Sequence, residues 1–377
     1  MGPLDNVRVL ELAGIGPAPF AGMLLADLGA DVVRIDRSPD GALGLGGATD
    51  VLGRGRRSLL LDLKDARGLA VALRLLDDAD VLLEGFRPGV AERLGMGPDV
   101  CLARNPRLVY TRATGWGQDG PWAGRAGHDL DYLALAGALH PMGPAADPPP
   151  VPLNLVADFG GGGMLVAFGA VCALLERERS GRGQVVDAAM VDGVAAMSGM
   201  VHGLLAAGLW EDRREANLLD GAAPFYRSYA CADGRFVAVA ALEPRFYAEL
   251  LDLLGLDPAT WPQHDRGLWP EQRTALAAVF AARTRDAWAA IFDGSDACVV
   301  PVLSLGEAPA HEHLAARGTF TTHEGLTQPA PAPRFSRTPG ALRRPPATPG
   351  SHSDEILADA GYTPAEVAAL RAAGVVG

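Results

Sequence analysis

The chain has 377 residues, 49% of them hydrophobic and 21% charged, with a formal net charge of −12 at neutral pH. A chain of this length buries a large core and has room for two domains. Its acidic balance excludes a nucleic-acid-binding surface, which needs clustered positive charge to displace counterions from phosphates. An anionic ligand therefore requires a local basic patch.

In chain order, residues 7–12 make a short β-type run, 20–28 a helix, 31–35 a second strand and 58–61 a third. A helix over 66–76, a strand at 81–84 and another at 108–111 follow. This alternation predicts an α/β fold built on a mainly parallel sheet with helices on its faces. Residues 141–152, rich in Pro, Gly and Ala, make a loop. A long helix is expected over 159–179, a strand at 184–187 and a further helix over 188–209. A second block opens near Pro224, with a strand at 235–240 and amphipathic helices at 245–254, 272–283 and 285–292. Residues 329–349 are proline-rich and aperiodic, which predicts an extended connection. Thr363, with Glu366 three residues on, marks the start of a last helix by a capping box. The uncharged runs at 159–175 and 193–210 are dotted with glycines and closed by charges, so they read as buried helices rather than membrane spans. Residues 1–6 lack the pattern of a secretory leader, and Cys101, Cys172, Cys231 and Cys298 are widely separated, as free thiols of a reducing, cytoplasmic compartment would be.

Two short segments carry the chemistry. Gly127-His128-Asp129 and Asn154-Leu155-Val156-Ala157-Asp158-Phe159-Gly160 each stand at a turn-like entrance to an apolar segment. There His128 and Asp158 are held at a cleft edge yet remain free to exchange a proton. Gly14-Ile15-Gly16 after the first strand, with Asp36 ending the second, has the layout of a dinucleotide fingerprint. Pro19 stands where its third glycine would be, and Pro17 and Pro19 remove two backbone donors, which argues against nicotinamide binding. His311-Glu312-His313 lacks a third ligand by spacing, so no metal site is expected. Arg54, Arg56 and Arg57 precede Lys64, the sole lysine, and Arg87 lies in Gly85-Phe86-Arg87-Pro88-Gly89, together suggesting a basic patch. Met190, Met197 and Met200, at helical spacings, read first as core and second as a soft apolar surface.

Longer stretches resemble a known family. Ala13-Gly14-Ile15-Gly16-Pro17-Ala18-Pro19-Phe20, Asp27-Leu28-Gly29-Ala30-Asp31-Val32-Val33-Arg34-Ile35-Asp36-Arg37 and Gly115-Trp116-Gly117-Gln118-Asp119-Gly120-Pro121 are similar to the family III CoA-transferase superfamily. Gly127-His128-Asp129-Leu130-Asp131-Tyr132, Pro152-Leu153-Asn154 through Phe159, Asp220-Gly221-Ala222-Ala223-Pro224-Phe225-Tyr226 and Leu242-Glu243-Pro244 narrow the resemblance to its α-methylacyl-CoA racemase branch. The resemblance runs from Leu4 to Leu370.

It implies a Rossmann-like large domain of residues 1–200 and 330–377, a smaller α/β domain of residues 221–325, linkers at 201–220 and 326–340, and an interlocked-ring homodimer. It also implies a 2-methylacyl-CoA substrate, with CoA as part of that substrate, no separate cofactor, and no nucleic-acid or membrane partner. His128 and Asp158 would be the acid/base pair on opposite faces of the α-carbon, with Asn154 and Glu243 holding His128 in its working tautomer. Backbone N–H groups at the helix start beside Asp158 would stabilise an enolate. Arg37, Leu61, Asp62, Leu63, Lys64, Arg87, Gly127, Asp129 and Tyr132 match positions that contact the acyl-CoA. The alternative in the same superfamily is a CoA-transferase whose Asp158 carboxylate attacks substrate to form an acyl anhydride. A third reading is an acyl-CoA-binding protein without turnover.

Overall fold

The computed structural model describes residues 1–37 and 49–377. The chain begins with β1 (Arg8–Leu12), α1 (Pro17–Asp27), β2 (Asp31–Asp36), β3 (Arg56–Leu60), α2 (Ala66–Leu76), β4 (Val81–Glu84), α3 (Val90–Arg93), α4 (Pro98–Arg104), β5 (Val109–Thr114) and α5 (Asp129–Leu135). A π-helical stretch, Leu155–Gly163, runs into α6 (Met164–Ser180), and β6 (Gln184–Ala189) and α7 (Met190–Met197) follow. Next come α8 (Gly199–Ala206), β7 (Tyr226–Ala230), β8 (Phe236–Ala240), α9 (Pro244–Leu254), α10 (Trp269–Phe280), α11 (Arg285–Phe292) and β9 (Val299–Pro301). The chain ends with α12 (Glu312–Arg317), β10 (Phe320–His323), β11 (Leu326–Pro329), α13 (Ser353–Asp359) and α14 (Pro364–Ala372). It divides into two compact units: Met1–Ala136, Pro152–Met197 and Ala315–Gly377 form the first, and Gly137–Val151 with Ser198–Leu314 the second.

The first unit holds a six-stranded sheet in the order β3-β2-β1-β4-β5-β6. Every pairing is parallel. Strand residues such as Val9, Leu10, Val32, Val81, Leu82 and Leu83 are buried almost completely, as a parallel sheet covered on both faces demands. Val71 and Leu76 of α2, Ile356 of α13 and Leu370 of α14 pack in one core with Leu10, Leu82 and Tyr110. Ala18, Ala21 and Leu25 of α1 and Val166, Ala170 and Leu174 of α6 pack in another with Val9, Val32 and Leu83. The Rossmann-like sheet expected from the sequence is present. The second unit has an antiparallel sheet, β7-β8-β9, whose core includes Phe225, Val237, Leu250, Phe280 and Trp288.

Two local expectations are corrected. Arg54, Arg56 and Arg57 do not form a basic patch, because each is spent on a carboxylate inside the fold. Arg56 is wholly buried against Glu11 at 2.6 Å, Arg54 is buried against Asp27 at 2.5 Å, and Arg57 meets Asp31, Glu355 and Asp359. Removing one partner of such a buried pair would leave an uncompensated charge, which is why these cations are structural. The apolar runs at 159–175 and 193–210 are not fully buried either. Leu155–Ser180 is apolar and long enough to cross a membrane by composition. Its α6 part buries Val166, Ala170 and Leu174, while Met164, Phe168, Val171 and Leu175 form an outward stripe at spacings of four, three and four. Of the three methionines, Met190 is core, whereas Met197 and Met200 are exposed.

The glycines of the π-helical stretch let α7 approach its backbone. A Cβ on Gly193 would stand 1.9 Å from the Gly161 carbonyl oxygen and 2.7 Å from its Cα. The Gly193→Val variant should therefore lose about 3 kcal/mol or more of unfolding free energy in chemical denaturation, the cost of forcing two helices apart in a packed core.

Candidate active site

In this strand order β1 and β4 are neighbours, with the chain continuing outward from β1 to β2 on one side and from β4 to β5 on the other. Loops leaving the C-terminal ends of such strands diverge and open a crevice, the usual ligand position in an open parallel sheet. A cleft of about 240 Å3 lies there, lined by Gly16 after β1, Phe86 and Arg87 after β4, Trp116 after β5, and His128 and Asp158. Gly127, Tyr132 and Met190 also face it.

His128 immediately precedes α5, and its backbone N–H donates to Asp131 Oδ2 at 2.9 Å. The Tyr132 hydroxyl donates to the Gly127 carbonyl, and Trp116 packs edge-on against the Tyr132 ring at 4.7 Å. These contacts fix the backbone on both sides of the imidazole.

Asp158 lies within the first turns of the π-helical stretch, not at a helix entrance as expected, because helical backbone begins at Leu155. The reason is Asp129. Its buried carboxylate Oδ2 accepts the N–H groups of Ala157 and Asp158, both at 2.7 Å, and so satisfies donors that a helix start would otherwise leave free. Those two N–H groups are therefore committed to Asp129 and are not open to an enolate. One side chain thus joins the residue after His128 to the backbone of Asp158. Wide π-type turns of this kind recur at functional sites.

Burial pushes the Asp158 carboxyl above the ordinary aspartate value, and the nearby Asp129 charge adds to that rise. The Asn154 amide, which donates to Asp158 Oδ2 at 3.4 Å, and the charge of His128 oppose it. Asn154 is thus hydrogen-bonded to Asp158 and not to His128, a correction to the expected pairing. Gly16, with φ of 73°, carries the β1–α1 loop past the carboxylate, where a Cβ would stand 3.4 Å from Asp158 Oδ2. Pro17 follows it as the first residue of α1.

The remaining expected positions fall in three groups. Arg37, exposed at the end of β2, and the run Leu61, Asp62, Leu63, Lys64 after β3 occupy the C-terminal edge of the sheet. Within that run Leu61 is a core residue, and its N–H is used by the Asp36 carbonyl at 2.9 Å, while Asp62 N–H donates to the Val375 carbonyl. Arg87 is exposed and lines the cleft. Glu243 is an exposed residue of the second unit at the N-cap position of α9, with no side-chain capping hydrogen bond. Trp116 and Arg125 also line the cleft. Trp116 stood in the family motif at 115–121 without a role of its own, and the signal of Arg125 was position alone, in the loop that follows β5.

The pattern known as CoA-transferase family III matches residues 4–353. The chain belongs to CoA-transferase family III. It is 48% identical to the alpha-methylacyl-CoA racemase of Mus musculus and 46% identical to that of Homo sapiens, in each case over 99% of this chain and 97% of the relative. It is 31% identical to the succinyl-CoA--D-citramalate CoA-transferase of Chloroflexus aurantiacus, over 99% of this chain and 98% of that one. Among solved structures, a CAIB/BAIF family protein from Brucella suis superposes with a TM-score of 0.80 at 27% identity, covering 95% of this chain and 99% of its own. This family III chain therefore shares its architecture with a solved family protein along nearly its whole length.

Proposed function

We propose that the protein racemises 2-methylacyl-CoA thioesters by moving the α-proton between two faces of one carbon, with His128 and Asp158 as the two acid/base groups. The observation that carries this reading is the presence of both side chains on one cleft at the sheet's switch point, tied together through Asp129. The identity of 48% and 46% to two racemases over almost the full chain supports it.

The energetic demand is severe. Against an α-proton pKa of about 20, a base near 6.5 faces a gap of about 18 kcal/mol. That gap already includes the acidity lent by the thioester, and a partly buried site in which the conjugate acid stands on the far face lowers it further. The raised Asp158 pKa suits the task, because a carboxylate held partly out of water is a stronger base than a solvated one. No metal or redox cofactor enters this scheme, and we place the enzyme in the cytoplasm, where its free cysteines stay reduced. Arg37 and the 61–64 stretch would take the nucleotide end of CoA, and Arg87, at the cleft, the pantetheine side. Glu243 would act on His128 as a positioning group.

The outward stripe of α6 would be covered by a second copy of the chain, giving a homodimer. Sedimentation equilibrium should return twice the chain mass; a monomer at micromolar concentration would remove this part of the reading.

The test of the activity is incubation of one enantiomer of a 2-methylacyl-CoA in deuterated water. Wild-type protein should exchange the α-hydrogen and produce both enantiomers. A stable acyl adduct on Asp158, seen by mass spectrometry, would instead favour the transferase reading.

A further inference from the structure

Tyr132, the fourth residue of α5, lines the catalytic cleft yet is only 6% exposed. Side chains on a helix lean back towards its N-terminus, so the ring lies over the turn that carries His128. Gly127 stands just before the N-cap residue His128 and Tyr132 four residues after it, the two positions at which apolar side chains often pack to fix the entry of a chain into a helix. Here the first of them has no side chain, and the link is a hydrogen bond instead: the Tyr132 hydroxyl donates to the Gly127 carbonyl. Burial and the charges of Asp158 and Asp131 push the phenol up to about 12, against the pull of Arg87, so it keeps its proton and this donor at neutral pH.

Two glycines make room for that ring. A Cβ on Gly115, just after β5, would stand 2.1 Å from the ring's Cζ and 2.3 Å from its hydroxyl oxygen, and one on Gly127 would stand 2.8 Å from its Cε1. Neither glycine has a positive φ, so the backbone does not demand glycine at either position; the ring does. Trp116 meets the ring edge-on at 4.7 Å. Tyr132 is thus wedged between the loop that leaves β5 and the peptide that precedes His128. Asp158 is fastened separately, its backbone by Asp129 and its carboxylate by Asn154. The two acid/base groups therefore depend on two different residues of one helix, Tyr132 and Asp129.

We infer that Tyr132 is a positioning residue for His128 alone: its hydroxyl fixes the peptide before the imidazole and so governs the one half of the reaction in which His128 takes the proton. This rests on the racemase reading. Without the hydroxyl the Gly127 carbonyl is released, and the peptide before His128 gains freedom while the Asp158 helix does not. A displacement of about an ångström costs up to about a hundredfold in a step that needs aligned atoms. A role in holding substrate would act on both enantiomers alike, since they share one thioester, and would be read in KM.

The test is Tyr132→Phe, which keeps the ring between the two glycines and removes only the hydroxyl, followed with each enantiomer of 2-methyldecanoyl-CoA in deuterated water. The enantiomer whose exchange is lost in His128→Ala should exchange with a kcat at least about tenfold lower and an unchanged KM, while the other stays within about twofold of wild type. Proton NMR of the free protein gives a second readout: the His128 ring resonances should shift or broaden in the variant, and those of the other histidines should stay in place. Gly115→Ala, which keeps the hydroxyl but drives a methyl group into the ring, should reproduce the same one-sided loss. Equal slowing of both enantiomers, or a raised KM with kcat unchanged, would overturn the assignment and make Tyr132 a substrate contact. If wild-type protein exchanges neither enantiomer, the racemase reading falls and takes this inference with it; wild-type rates for both enantiomers in Tyr132→Phe remove the inference alone.

Discussion

His128→Ala and Asp158→Asn should each slow racemisation by about three orders of magnitude, the usual worth of a positioned general acid or base. The residual chemistry is more telling than the loss. With two bases on opposite faces, each single variant retains the base that serves one enantiomer. Each should therefore still exchange the α-hydrogen of one enantiomer with solvent, slowly and without inversion, and the two variants should retain opposite enantiomers. Proton NMR in deuterated water, run separately on each enantiomer, reads this directly. If one variant abolishes all exchange and the other leaves both enantiomers exchanging, a single base does the work and the pairing is wrong.

The stability of Asp158→Asn should move the other way. Because the folded carboxyl titrates above its ordinary value of 3.8, the stability it contributes is present below that value and is lost as pH rises through the folded pKa. At neutral pH the ionised group is a net cost, so its neutral isostere should melt a few degrees higher than wild type while failing in catalysis. A matched loss of Tm and activity would show that the variant is merely misfolded.

Asp129→Ala should be damaging through a different route. Its carboxylate accepts two backbone N–H groups at 2.7 Å while nearly inaccessible to solvent, and removing it leaves both donors unsatisfied. Hydrogen bonds to a charged acceptor are worth about 1.5–3 kcal/mol each, so a stability loss of about 3 kcal/mol is expected. Misplacing the Asp158 backbone by about an ångström should cost a further hundredfold in kcat. Asp129→Asn separates positioning from packing, since it keeps an acceptor oxygen but loses the charge. Because the Asp129 charge raises the Asp158 pKa, this variant should shift the acid limb of kcat/KM to lower pH. Asn154→Ala should shift that limb upward, because the Asn154 amide holds the Asp158 value down. A limb that stays in place in both variants would mean that Asp158 is not the group being titrated.

Much of the first unit was legible because parallel strands buried on both faces must be nearly continuous apolar runs. The helix at 66–76 and the strand at 81–84 were placed to the residue, and the Thr363 to Glu366 capping box is present at the start of α14. Strands β9, β10 and β11, of three or four residues each, escaped because so short a run carries no periodicity. The start of the Asp158 helix was misread by four residues, since its cap is supplied by Asp129, distant in sequence.

Residue type and local spacing alone placed His128 at the turn before α5 and called for a doubly covered parallel sheet, but they set Asp158 before a helix that in fact contains it. Tertiary structure alone decided which charges were free to act. The arginines at 54, 56 and 57 look like a phosphate site along the chain, but folding brings Asp27, Glu11 and Asp31 against them. Asp129 looks like a ligand contact along the chain, yet its carboxylate holds the backbone of Ala157 and Asp158. The physical reason is the same in both cases: a buried charge is defined by its partner, and the partner stands elsewhere in the sequence.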